Sequence, residues 1–199
     1  MLNIQLTGDS ILTRFEGNED EPMINKCLKN KLGPAVRLTN TAISGNNTFD
    51  MLTRIEKDIL SVPTSNLIFI LIGTNDLALH KQVSLSQFKE NLRQIIEKLL
   101  TKYPAHHIFL ISPPPVDESK QKYRKNVLIF EYVSIMKEVA ENFSCYFIDL
   151  YQTFFEIGHL PTLMKGIRDD GLHFGIIGYQ ILAEQIVAAL NEEKFLNPL

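Results

Sequence analysis

The sequence predicts an α/β chain: a parallel sheet of five strands with helices on both faces. Short apolar runs rich in Ile, Val, Leu and Phe alternate with longer stretches of helical period. Each run is too short to be a helix. With 199 residues, 45% of them hydrophobic, the chain also has the length and apolar content to bury such a sheet without disulfides or a structural metal.

The strands are expected at 3–7, 35–39, 67–72, 108–112 and 145–149, all dominated by β-branched or large apolar residues. The first helix is expected at 22–32, with Pro22 in its first turn and Gly33 beyond its end, and the second at 48–60. Leu85, Phe88, Leu92, Ile95, Ile96 and Leu99 recur at helical spacing behind Ser84 and Gln87, which offer a capping box. A fourth helix is expected over 119–142 with Tyr123, Val127, Phe130 and Val133 as its core stripe, and a last one over 176–191 burying Ile177, Ile181 and Leu190. Between them, 151–175 has little periodicity beyond a short helix at 151–157, and long irregular connections of this kind are usually functional. No repeat, low-complexity tract or linker divides the chain, so one domain over 1–199 is expected.

Twenty basic against twenty-three acidic residues give a net charge of −3, which argues against nucleic acid as a partner. Cys27 and Cys145 stand far apart without metal-ligand spacing, so they are expected to be reduced, buried thiols. The first residues lack a cationic stretch before an apolar run, and no run approaches 18 apolar residues. A cytoplasmic location without stable membrane insertion is the expectation; the oligomeric state is not legible.

In a doubly wound sheet, ligands bind beyond the carboxyl ends of the strands where the strand order reverses. Strand one ends in Gly8-Asp9-Ser10, strand two leads to Ser44-Gly45-Asn46-Asn47, and strand three ends in Gly73-Thr74-Asn75-Asp76. With the common order 2-1-3-4-5, Ser10, Gly45 and Asn75 converge on one patch. The trio offers a hydroxyl to attack a carbonyl, a glycine N–H that can approach closely and an amide that can donate. Asp170-Gly171-Leu172-His173 supplies a base, with the carboxylate spaced to accept from one imidazole nitrogen while the other faces Ser10.

In these four blocks, in this order, the sequence resembles the SGNH hydrolases, also called the GDSL esterase/lipase family. The resemblance runs from Gly8-Asp9-Ser10 to Asp170-Gly171-Leu172-His173 and so spans most of the chain. It implies a flavodoxin-like three-layer α/β/α sandwich and ester hydrolysis without cofactor or metal. Ser10 would be the nucleophile, His173 the base and Asp170 its orienting partner. The oxyanion donors would be the N–H groups of Ser10 and Gly45 and the Asn75 side chain. The implied partner is a small-molecule, lipid or carbohydrate acyl ester. Two positions depart from the pattern: Ile11 stands where the family name has leucine, and Asn46-Asn47 follow Gly45 where an acidic residue is common.

Other residues receive structural roles. Asp9 is expected to hold the loop that presents Ser10, Asp76 to bond its own loop, and Asp149 to cap the turn after strand five. Asp169 is the rival of Asp170 for His173. His80, His106, His107 and His159 are expected to be exposed, and Pro113-Pro114-Pro115 to form either a wall of the cleft or a stiff connector. Phe15, Met164 and Phe174 are expected to line an acyl pocket. The rival from another class is a flavodoxin-like phosphate- or flavin-binding module, since residues 7–13 have the small, hydroxylic character of a phosphate-gripping loop. Asp9 within that loop counts against it. A lysophospholipase or thioesterase is the alternative within the family. So short a chain has little left for a large lid or deep tunnel, which favours short acyl groups.

Overall fold

The first apolar run forms β1 (Leu2–Gly8), which lies inside the sheet between β2 (Val36–Asn40) and β3 (Leu67–Leu71). These strands belong to a computed structural model that describes residues 1–17 and 20–196; the rest of the expected 1–199 domain lies outside the described residues. β4 (Ile108–Ile111) and β5 (Tyr146–Ile148) extend the sheet in the order 2-1-3-4-5, and every pairing is parallel. All five predicted strands are present, with no end displaced by more than one residue.

Eight α-helical segments accompany the strands among the described residues: α1 (Ser10–Thr13), α2 (Met23–Leu32), α3 (Thr48–Arg54), α4 (Leu85–Leu99), α5 (Asn126–Asn142), α6 (Leu150–Ile157), α7 (Leu160–Leu163) and α8 (Ile176–Glu192). Because successive side chains of a strand point to opposite faces, β3 serves two cores at once. Ile68 and Ile70 pack under α3, α4 and α5, whereas Leu67, Phe69 and Leu71 pack under α1, α2, α6 and α8. Phe69, Phe109 and Tyr146 stack in a row across the second face, with ring centroids 4.4 and 4.7 Å apart. Each fully buried large side chain contributes about 1.5–3 kcal/mol, so the two sandwiched layers hold the strand ends rigidly. No described helix is long and apolar enough to cross a membrane.

Several helices differ from expectation for local reasons. The expected second helix is α-helical only to Arg54 and then widens into a π-type turn over Ile55–Leu60. Its start is fixed by a capping box between Asn47 and Asp50. The Ser84 hydroxyl accepts from the Gln87 N–H, but the Gln87 side chain turns to Asn91 instead of reaching back, so only half of the expected box forms.

The fourth helix begins at Asn126, not Ser119. Residues 116–126 are tied into turns, because Asp117 accepts from the Ser119 N–H and hydroxyl while the Asn126 side chain bonds both polar backbone groups of Val116. With the start displaced, the core stripe is Ile129, Tyr132, Val133, Met136, Val139 and Ala140. Tyr123, Val127 and Phe130 of the expected stripe are exposed; Val133 is buried. In α8, Ile181 and Leu190 are buried as expected, but Ile177 is exposed in the first turn, and Tyr179 and Leu182 face the core instead.

Candidate active site

All four sequence blocks lie at the carboxyl end of the sheet. Asp9 caps α1 by accepting the Ile11 N–H at 2.9 Å, which turns the chain sharply out of β1 and sets Ser10 at the first helical position. At that position a backbone N–H has no acceptor within the helix, so the Ser10 N–H is directed away from it. The β2–α3 loop docks beside this turn through the Ile43 N–H on the Gly8 carbonyl, 3.1 Å. Gly45 has a φ of +84°, a conformation that glycine adopts without steric cost.

The β3 loop joins the same patch. Asn75 Nδ2 donates to the Asn46 carbonyl at 3.0 Å, fastening the predicted amide donor to the residue after Gly45. The loops are anchored from behind by two cations that the sequence did not single out. Lys81 Nζ donates to the Gly45 carbonyl and to Asp50, both at 3.0 Å. Arg54 donates to the Asn46 side chain at 2.5 Å and to the Thr41 carbonyl at 2.9 Å. The two asparagines at the departing positions thus have work of their own, Asn46 as the Arg54 acceptor and Asn47 as the cap of α3.

The connection expected over 151–175 holds α6 and also the short α7, and its remainder, 164–175, carries Asp170 and His173. His173 Nε2 lies 2.9 Å from Ser10 Oγ, and its Nδ1 lies 2.7 Å from Asp170 Oδ2. The other carboxylate oxygen of Asp170 accepts the backbone N–H groups of Leu172 and His173 at 3.0 and 2.9 Å. Partial burial pushes the Asp170 carboxyl upward, but the imidazole and these two N–H groups outweigh it and hold the group well below the usual carboxylate range. Asp169, the rival, turns instead to Lys120. Ser10 and His173 are only 7% and 5% exposed, so their hydrogen bond is largely shielded from water.

Two buried carboxyls lie beneath. Burial pushes Asp9 up to about 7, against the Ile11 N–H bond and aided by the charge of Asp76. Asp76 is likewise pushed up to about 6 by burial, against the hydrogen bonds from Thr48. Asp76 was expected to bond its own loop. It also accepts from the Thr48 N–H and hydroxyl at the start of α3, and so ties the β3 loop to that helix. Asp149 caps α6 through the Gln152 N–H, as expected.

The acyl-pocket expectation needs correction. Met164 and Phe174 are 0% exposed; Phe174 packs against Phe154 and Tyr179, so both support the loop from below and offer no surface to a ligand. Phe15 is exposed. Pro113 to Pro115 are buried, with Pro113 against Gly73, which makes the run a connector in the interior. His80, His106 and His159 are exposed, whereas His107 is half-buried edge-on to Phe195. Both thiols are buried, and no cluster of three metal-ligating side chains occurs among the described residues. An open groove of about 530 Å³ flanks the β2–α3 loop, lined in part by Asn47, Phe49, Leu79, His80, Lys81 and Asn91; Ser10 and His173 are not among its lining residues.

The chain is similar to known proteins in sequence and in fold. The GDSL-like lipase/acylhydrolase family model matches residues 6–181. A GDSL esterase/lipase of Arabidopsis thaliana is 28% identical over 142 residues, covering 62% of this chain and 58% of that protein, so the chain spans little more than half its length. An acetylxylan esterase of Geobacillus stearothermophilus is 27% identical over 167 residues, 79% of this chain and 74% of the relative. Among solved structures, a lipase/acylhydrolase from Enterococcus faecalis superposes with a TM-score of 0.84 at 27% identity, covering 100% of this chain and 99% of that one.

Proposed function

Because the chain belongs to the GDSL-like lipase/acylhydrolase family, we propose that it is a serine esterase that hydrolyses short-chain, acetyl-like acyl esters through an acyl-enzyme on Ser10. The observation that carries the reading is the continuous hydrogen-bonded line from Ser10 Oγ through the His173 imidazole to the Asp170 carboxylate, 2.9 and 2.7 Å.

The chemistry follows from that line. Ser10 Oγ attacks the ester carbonyl while His173 Nε2 takes its proton. Asp170 keeps the Nδ1–H tautomer and stabilises the imidazolium that forms, and its low carboxyl keeps it ionised through that step. The carbonyl oxygen becomes an oxyanion that receives the N–H groups of Ser10 and Gly45 and the Asn75 amide. His173 returns its proton to the departing alcohol, then activates the water that releases the acid and regenerates Ser10.

Short acyl groups are supported by the closure of Met164 and Phe174 into the core, which removes these two side chains as candidates for the lining of a deep tunnel. A relative that acts as an acetylxylan esterase favours the same class. Turnover of p-nitrophenyl esters of graded chain length tests the reading. kcat/KM is expected to be highest for acetate and butyrate and to fall with longer chains. A rise toward long chains would instead support a lipase or lysophospholipase, and full activity in Ser10→Ala would end the serine mechanism.

A further inference from the structure

We propose that Arg124 is a positioning residue for this reaction, one guanidinium that keeps the Asn75 loop and the Asp170–His173 loop in register. The inference rests on the esterase reading above and extends it to a residue that no sequence block contains. Arg124 is half-buried in the β4–α5 connection, the segment that runs between the two loops. Its Nε donates to the Thr74 carbonyl at 3.0 Å. Its Nη1 donates to Gln121 Oε1 at 3.1 Å, and Gln121 Nε2 in turn donates to the Asp170 carbonyl at 2.8 Å.

The two carbonyls are well chosen for this purpose. The Thr74 carbonyl shares a peptide plane with the Asn75 N–H, so holding it fixes the backbone from which the proposed oxyanion amide projects. The Asp170 carbonyl shares its plane with the Gly171 N–H, one residue before the Leu172 N–H that orients the carboxylate. Burial lowers the Arg124 guanidinium from its usual value, and the nearby Asp9 and Asp170 carboxyls act against that fall.

The rest of the connection grips the second loop as well. The Asp117 N–H donates to the Gly171 carbonyl at 2.8 Å, and Lys120 pairs with Asp169. A Cβ at Gly171 would meet Lys120 Cβ at 2.8 Å and the Asp117 carbonyl oxygen at 3.0 Å, at a φ of +74°. The contact is too close for any other residue. What Arg124 adds is the link across to the oxyanion side. A planar fork can direct two donors at fixed angles, which a lysine ammonium on a flexible stem cannot. Since a misplacement of about 1 Å can cost about 10²-fold in rate, register between donor and base is worth such a link.

The test compares wild type, Arg124→Gln, Arg124→Lys and Gln121→Ala, with the double variant of Arg124→Gln and Gln121→Ala. Arg124→Gln is expected to lower kcat by about 10- to 100-fold while KM and the thermal midpoint stay near wild type. Arg124→Lys should recover only part, and the double variant should be no slower than Arg124→Gln alone, since Gln121 acts through the guanidinium. Amide hydrogen exchange on the same proteins needs no turnover; in Arg124→Gln it should accelerate in 73–76 and 170–173 together. Unchanged kcat, parallel changes in kcat and KM, or faster exchange in one loop alone overturns the inference. A wild type that cleaves no ester, or an active Ser10→Ala, tells against the esterase reading instead, and the exchange arm then still decides whether Arg124 joins the loops.

Discussion

Asn75→Ala separates the proposed mechanism from a loop that is merely well built. The Asn75 amide has two N–H groups, and one is committed to the Asn46 carbonyl at 3.0 Å in the resting protein. That bond is neutral and partly buried, so its loss should cost about 1 kcal/mol of stability, a fall of about 2–4 °C in thermal midpoint for a chain of this size. The second N–H is the one assigned to the oxyanion, where charge appears only as the tetrahedral species forms. Removing such a donor costs about 10²- to 10³-fold in kcat, or about 2.7–4 kcal/mol. Ground-state binding should barely respond, so KM should move by no more than a few-fold. Steady-state turnover of p-nitrophenyl acetate, read beside a melting curve, gives both quantities. Asn75→Asp should be slower still, since a carboxylate repels the oxyanion. If Asn75→Ala kept kcat within about threefold of wild type, or raised KM in step with any loss, the amide would be a loop fastener, and the oxyanion hole would consist of the Ser10 and Gly45 N–H groups alone.

Three further outcomes are expected. Ser10→Ala should lower kcat by several orders of magnitude, leaving about 10³- to 10⁴-fold catalysis over water, and a phosphonylating reagent should label Ser10; an adduct found on Ser44 or Ser112 by mass spectrometry would reassign the nucleophile. Asp170→Asn can keep the bonds to the Leu172 and His173 N–H groups but turns an NH₂ toward Nδ1, which selects the wrong imidazole tautomer; kcat should fall about 10⁴-fold with the fold intact, and a loss under tenfold refutes the role. The third concerns pH: the Asp9 carboxyl holds its proton to about 7 in the native state, whereas the unfolded chain releases it near 3.8, so between those values the native state binds more protons and stability falls as pH rises. Asp9→Asn removes that contribution, leaving the similar fall that Asp76 imposes up to about 6. Urea unfolding from about pH 5 to 8 should therefore show a shallower decline for the variant, and equal slopes would mean that Asp9 ionises freely inside the fold.

How much of this was legible in the sequence depended on whether a feature is local. The strands were readable because five runs of large apolar residues have few other uses, and the Asp170 to His173 spacing was readable because a carboxylate and a ring three residues apart can meet within one turn. The start of α5 was not, because residues 119–125 have helical spacing while Asp117 and Asn126 spend their side chains on competing turns. Met164 and Phe174 were misplaced for a different reason: adjacency to a functional residue does not determine direction. Phe174 follows His173, yet its ring points down between Phe154 and Tyr179 while the imidazole points to Ser10. Lys81, Arg54 and Arg124 left no signal, since what a long cationic side chain meets is decided by how distant loops pack.

Those three cations share a consequence that the motif residues alone do not reveal. Lys81 holds the Gly45 carbonyl, Arg54 the Thr41 carbonyl and Arg124 the Thr74 carbonyl, so each of the two loops beside Ser10 has a backbone oxygen fixed by a positive side chain. The glycine and the short polar residues of these loops have little intrinsic stiffness, and an oxyanion hole stabilises charge cheaply only when its donors are already oriented. Charge-assisted bonds to carbonyls supply that orientation from outside the motif. On the proposed mechanism, the blocks that make the family recognisable contribute the atoms that react, while residues scattered through α3, the 78–83 segment and the β4–α5 connection hold them in place. Substitutions at these supporting positions should therefore appear in kcat before they appear in binding.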